Sequence, residues 1–522
     1  MSAFRRALAA AQPASTDGRR WLFVPYDQLT DAVGPLAKEP AHELGIVLVE
    51  CPAKAERRPY HRRKLALVLG NLRHFALEQA RRGVAVRHVV SDGGYADALQ
   101  PLMASLGPLR VMDPAERELR AELAPLIARG MLEVVPHEGW LTTERDFAAA
   151  GPSEGPWRMD RFYRAVRRRT GVLMDEGKPR GGQFSHDGAN RRPWKGEPPA
   201  PTPPTFPNDP VKDEVVALVR DRFGDHPGRL DPATLPVTRH DAEALWAWVM
   251  DQCMVHFGPY EDAMATGQPR LFHTGISELL NLHRLLPARV VDDVARAELP
   301  INSQEGFVRQ VLGWREFVRH VHRATDGFRT LSPDAAPNVL DAHRPLPAAY
   351  WPGRPSGLAC LDEVVGDVWR DGYSHHITRL MVLSNLATLL GVDPRELTDW
   401  FWVAYSDAYD WVVEPNVLGM GTFAAGPVMT TKPYVSGAAY LSRMSDYCRS
   451  CALHPKKTCP ITPMYWAFLH RNAERLADNQ RLKLPLASAR KRSIEQKAHD
   501  VRAADRVAAC LAAGERYTPE EA

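Results

Sequence analysis

Cys448, Cys451 and Cys459 crowd into twelve residues as Cys-x2-Cys-x7-Cys, with Pro460 directly after the last. Two thiolates separated by two residues grip one metal or one cluster edge from a single turn, and a third follows on a short loop. A fourth ligand must come from elsewhere. Among Cys51, Cys253, Cys360 and Cys510, we take Cys360. The spacing favours an iron–sulfur cluster. Zinc is the rival reading, although neither a second CxxC nor an HxxxH is present and only His454 lies inside the loop. Buried, unligated thiols are the plain alternative.

The bulk numbers suit that chemistry. The chain has 522 residues, enough for two or three domains, with 44% hydrophobic and 25% charged residues. Its formal charge of +3 means that any nucleic-acid surface is a local patch. Seven cysteines, an odd number, argue for metal over disulfides. The first residues, MSAFRRALAAAQPAS, lack a secretory h-region. No stretch reaches about 18 apolar residues, so the sequence predicts no membrane span and a cytoplasmic protein.

The elements that must position these residues fall into two styles. Apolar runs at 21–25 (WLFVP), 45–51, 84–91, 109–112 and 132–136 read as buried strands. They alternate with helical patterns at 65–82, 96–106 and 115–129. This predicts an α/β domain, a doubly wound parallel sheet, over 1–150. No GxGxxG opens its first helix. Residues 151–211 change character, with a basic aromatic helix at 158–169, glycines 181 and 182, and the run EPPAPTPPTFPNDP at 197–210. Prolines fix φ and remove donors, so that run predicts an extended interdomain linker. From 212 to 522 the pattern is all-α. Phe307, Val311, Trp314, Val318 and Val321 mark one helix face, and 376–390 and 397–411 read as further helices.

Several stretches then resemble one family. They are RFYRAV at 161–166, TGVLM at 170–174, GFVRQVLGWREFV at 306–318, GYSHHITRLM at 372–381 and YSDAYDWVVEPNVLGM at 405–420, followed by KPY at 432–434 and RMSDYC at 443–448. In this order they resemble the iron–sulfur branch of the photolyase/cryptochrome family, the bacterial cryptochromes and (6-4) photolyases. The resemblance implies an α/β antenna domain joined to a helical FAD-binding domain. It implies FAD, a [4Fe–4S] cluster on Cys360, Cys448, Cys451 and Cys459, and a lumazine-type antenna chromophore. His273, Thr274, Gly275, Ile276 and Ser277 match the family's phosphate-binding turn; an ordinary helix cap is the bland alternative. Gln310, Trp314, Arg315, Arg379, Asn385, Asp407, Val413 and Asn416 match flavin-facing positions. Val413 replaces a polar residue opposite flavin N5, with Glu414 one position late. Lys54 replaces a lumazine-binding carboxylate and Arg57 an aromatic.

For chemistry, the resemblance makes His375 and His376 the proton-donating histidines at the lesion, a role suited to imidazole. Trp400 and Trp351 match an electron route with Phe401 between them, and Tyr434 and Tyr440 match aromatics near the cluster. The expected activity is light-driven repair of (6-4)-damaged DNA by a monomer, with a flipped lesion. Residues 158–169, 181–184 and Lys432 are candidate phosphate contacts. A blue-light photoreceptor with a signalling partner is the alternative, and a primase-like iron–sulfur module is a third reading disfavoured by the flavin motifs.

Overall fold

The computed structural model describes residues 2–331 and 337–519. Five parallel strands form one sheet: β1 (Arg20–Phe23), β2 (Leu44–Glu50), β3 (Ala85–Val90), β4 (Leu109–Met112) and β5 (Leu132–Val135). Their order is β3-β2-β1-β4-β5, so the winding reverses beside β1, with Leu22 opposite both Ile46 and Arg110. Every residue of β2 is buried, as a central strand covered on both faces requires.

Helices α1 (Ala3–Ala11), α2 (Arg62–Arg81), α3 (Tyr95–Leu106) and α4 (Arg117–Ala128) cover the sheet. The N-terminal residues therefore form a structural element. Ser2 caps α1 by accepting from Arg5 N, and Phe4 is buried edge-on to His88 at 4.8 Å. In the 151–211 stretch, α5 (Met159–Thr170) buries Phe162, Tyr163 and Val166, and Gly171 at φ 74° closes it. The proline-rich run is extended but seated, because Phe206 is buried and donates its N–H to Ala233 O at 2.8 Å. Helix α6 (Pro210–Arg222) turns back onto α1 and α2. Its Glu214 accepts from Phe4 N at 3.1 Å and from Arg73 at 2.7 Å.

The remainder is helical. Helix α7 (Ile301–Val308) continues through a π-helical segment, Arg309–Arg315, into α8 (Glu316–Ala324). Helix α9 (Ala359–Asp371) is followed by a second π-helical segment, Thr378–Ser384, and α10 (Asn385–Leu390). The single helix expected over 397–411 is two: α11 (Pro394–Ala404) and α12 (Asp410–Glu414). The break places Tyr405 in extended backbone and frees Asp407 to turn toward Arg379. A third π-helical segment, Pro415–Gly421, follows α12. Helices α13 (Ala438–Met444), α14 (Tyr447–Ser450), α15 (Ile461–Arg471) and α16 (Ile494–Ala512) complete this half. Among the described residues, no helix is long and apolar enough to cross a membrane.

Candidate functional site

Three of the π-helical segments carry several of the candidate residues. Gln310, Trp314 and Arg315 lie on the first, Arg379 on the second and Asn416 on the third. Such a segment interrupts the 3.6-residue register and re-aims the side chains beside it.

Arg379 and Asp407 form a bidentate pair at 3.0 and 2.9 Å. Arg379 also donates to Ser374 O at 2.8 Å and lies over the Tyr405 ring at 4.0 Å. Ser277 donates to Asp407 at 2.6 Å. Burial opposes the Asp407 charge, yet Arg379 and then Ser277 hold its carboxyl below the usual range. Both charged forms are thus fixed, and Arg379 keeps 22% of its side chain accessible. Gly275, at φ 62°, sits so close to Arg270 that a Cβ there would collide with the guanidinium.

His375 and His376 meet a third ring. His273 stacks on His375 at 4.3 Å and 5°, and stands edge-on to His376 at 5.3 Å. One ring nitrogen from each lies within 4.8 Å of the others. Burial, then each other's charge, drives His375 well below its ordinary pKa. Burial, then Arg309 and Arg379, lowers His376 to about 4, and burial, then His376, lowers His273 to about 3. His273 Nε2 and His375 Nδ1 are buried with no hydrogen-bond partner. His376 stays half-buried while His375 is closed off. His273 is therefore a ring partner of the histidine pair.

The other candidates have these surroundings. Gln310 donates to Glu261 at 2.7 Å, and Asn416 donates to Val412 O at 2.8 Å. Asn385 clamps Ser436, donating to its O at 3.2 Å and accepting from its N at 2.9 Å. Arg315 faces Trp140 at 4.3 Å and donates to Leu280 O at 3.1 Å, while neighbouring Glu316 binds the 141–142 backbone. Trp314 is half-buried beside Phe317, Thr274 is half-buried and Ile276 is buried. Val413 is buried and apolar. Glu414 is held by His322 at 2.9 Å and Arg395 at 2.8 Å.

The aromatic residues lie in a different order from the expected Trp400, Phe401, Trp351. Trp369, which sequence reasoning missed, stands between Trp400 at 6.1 Å and Trp351 at 5.5 Å. Phe401 lies off that line, stacked on Tyr405 at 5.3 Å. One carbonyl, Tyr350 O, accepts from both Trp369 Nε1 at 2.8 Å and Trp400 Nε1 at 2.9 Å. The nine-residue offset of Trp369 from Cys360, on the same helix, was the available signal.

The four cysteines converge from α9, α14 and the loop before α15. All are unbridged. Burial, and then the charges of Cys459, Cys448 and Cys451, push the Cys360 thiol well up. Burial raises Cys459 to about 11. Held as thiolates, four such groups would need a cation between them. Tyr350 and Tyr447 feel Cys360, whereas Tyr440 reaches Asp262 at 3.4 Å and Tyr434 is half-buried.

A (6-4) photolyase from Agrobacterium fabrum is 34% identical over 496 residues, covering 91% of this chain and 96% of that protein. The chain belongs to the photolyase family. The family described as deoxyribodipyrimidine photo-lyase-related protein matches residues 22–235. An uncharacterised mimivirus protein, R855, is 39% identical over 66 residues, 13% of this photolyase-family chain and 54% of the viral protein. The crystal structure of a bacterial class III photolyase from Agrobacterium tumefaciens has a TM-score of 0.56 at 15% identity, covering 96% and 98% of the two chains. That likeness establishes the photolyase fold, with a parallel α/β sheet and a mostly helical remainder. Membership of the photolyase family implies a flavin.

Proposed function

We propose that the chain is a light-driven (6-4) photolyase that binds damaged DNA and repairs it with an electron from reduced FAD. The observation carrying this reading is the histidine cluster with its unpartnered nitrogens, set in the same half as the Arg379–Asp407 pair. Near-full-length similarity to a named (6-4) photolyase supports repair over the photoreceptor alternative.

The donor set fits a flavin. Arg379 and Asp407 present a fixed charge pair with open surface, Gly275 keeps a turn clear of side chain, and Ser277, Gln310, Trp314, Asn385, Val413 and Asn416 complete the candidate wall. Bound there, FAD supplies a light-driven single electron. Val413 gives the wall an apolar patch, because Glu414 is committed to His322 and Arg395. His376, with its open surface, is the residue that meets the flipped base; His375 and His273 back it. All three rings are neutral in the free protein at neutral pH, so His376 acts as an N–H donor there. A bound anion raises its proton affinity and makes it an acid.

Trp351, Trp369 and Trp400 would carry electrons toward the flavin. The cysteines fit a [4Fe–4S] cluster better than zinc, on their spacing and their need for a cation, and the cluster would tie α14 and the loop before α15 to α9. The same reading divides the chain at 1–150, 151–211 and 212–522, although α6 (Pro210–Arg222) packs back on the helices of the sheet domain. The exposed arginines of α5, Arg161, Arg164 and Arg168, are candidate phosphate contacts.

A lumazine antenna fits poorly. A cavity of about 230 Å³ lies at the carboxyl ends of β1, β2 and β3, but its Lys54 donates to Tyr26 at 2.5 Å and to Glu116 at 2.6 Å. A cation stands where the ring's donors need an acceptor.

Illumination of reduced, FAD-loaded protein with a (6-4)-containing oligonucleotide tests the reading. The lesion should disappear under blue light and persist in the dark. Unchanged lesion after illumination would leave only the photoreceptor.

A further inference from the structure

An open cleft of about 500 Å³ lies beside the tryptophan chain. Arg62, Arg220 and Arg229 line it, over a floor of Leu230, Pro352 and Trp369, and no carboxylate is part of its wall. The arginines come from three places: the start of α2, the last turn of α6 and the loop after it. That loop is built. Arg62 N donates to Pro227 O at 3.0 Å, Arg62 Nε to Gly228 O at 2.7 Å, and Arg229 N to Trp369 O at 2.8 Å. Among the described residues no carboxylate pairs with Arg62 or Arg220, and Arg229 has only the exposed Asp231 at 3.2 Å. Other arginines of the protein are paired with carboxylates, as Arg63 with Glu278 and Arg73 with Glu50. Three guanidinium groups facing one concavity repel one another unless an anion joins them, and their forked donors suit a compact polyanion.

The floor gives the position its meaning. Trp369 stacks on Trp351 and stands edge-on to Trp400. We propose that this cleft docks a small anionic one-electron donor, which hands its electron to Trp369. The proposal rests on the reading that the tryptophan chain feeds the flavin. In the step, the donor is oxidised by one electron and the oxidised Trp369 indole is restored to its neutral ring. No bond forms or breaks. The indole proton stays on Nε1, because its partner, Tyr350 O, is a carbonyl already shared with Trp400 and takes no proton.

Ferrocyanide, a tetra-anionic outer-sphere donor, is the probe, with neutral ferrocenemethanol as comparator and redox-inert hexacyanocobaltate as competitor. After a light flash on the FAD-loaded protein, the decay of the tryptophan radical absorption is followed against donor concentration. Decay with ferrocyanide should saturate, slow with hexacyanocobaltate, and lose on the order of tenfold in Arg62→Gln/Arg220→Gln. Decay with ferrocenemethanol should be linear and unchanged in that variant. Arg220→Gln alone, at an exposed position, should show part of the loss and serves if the double variant folds poorly. Calorimetry should detect hexacyanocobaltate binding to the unmodified protein without light and not to the double variant. Equal ferrocyanide kinetics in the arginine variants would overturn the docking proposal. If Trp369→Phe leaves the radical yield and decay intact with both donors, the electron route itself fails, whatever calorimetry reports. Displacement of hexacyanocobaltate by undamaged duplex DNA would assign the cleft to nucleic-acid phosphate and overturn the proposal.

Discussion

The cavity at the strand ends and the histidine pocket in the helical half treat polar groups in opposite ways. On the cavity wall every charged side chain has a partner. Lys54 has Tyr26 and Glu116, Glu50 has Arg73 and His88, and Lys64 has Trp402 O and Ala408 O. In the histidine pocket, His273 Nε2 and His375 Nδ1 have none. A buried polar atom without a partner costs on the order of 1–3 kcal/mol, and a ligand that pairs with it recovers that cost. Unpartnered atoms occur in the sheet half as well, on Asp27, His74 and His88, so what sets the histidine site apart is that two of them sit on rings stacked against each other.

The largest effect belongs to the histidine site. His376→Ala should lower repair about 10²–10⁴-fold with an unchanged melting temperature, and His375→Ala less, as read by loss of lesion per photon. Equal losses for the two would erase the distinction between open and closed ring. Next, Arg379→Met should leave Asp407 buried and unpaired, costing about 3–5 kcal/mol of unfolding free energy in denaturant and releasing flavin. The Glu414 site is a buried, fully paired counterpart. Despite burial, His322 and Arg395 lower its pKa to about 2 from 4.5, so its contribution is complete above pH 4.5 and is lost as pH falls toward 2. That amounts to about 3 kcal/mol, and Glu414→Gln should flatten the stability profile across that window. Smallest is Lys54→Met in the cavity. Burial, then Asp410 and Glu118, raises the Glu116 pKa well above the ordinary value, so losing Lys54 leaves a neutral acid. The change should stay below about 1 kcal/mol. A large loss would mean that the cavity, too, holds uncompensated charge.

Much of this was legible in the sequence. The buried strands are apolar runs with turn residues between them, and the helices between them called for a parallel sheet; the order β3-β2-β1-β4-β5 was not readable from the runs. Arg379 and Asp407 were visible because they sit in long matched stretches. The failures have one physical source: residue spacing assumes regular helix. The break after Ala404 and the three π-helical segments shift side chains off the 3.6-residue wheel. For that reason the partners of Gln310 and Arg315 were unreadable. Trp369 was missed for a different reason, since its relation to Trp400 depends on a carbonyl far from both in sequence. His273 was read as a turn residue because no linear pattern tells that its ring will lie on His375.

The seat of α6 on α1 and α2 also has a consequence during synthesis. The sheet half leaves the ribosome first, but Arg73 carries one unanswered charge direction and the Phe4 amide one unanswered donor until Glu214 emerges. Until Glu214 emerges, more than seventy residues beyond the last strand, those two donors have only water to meet, and the proline-rich run is the tether on which the helix that answers them arrives.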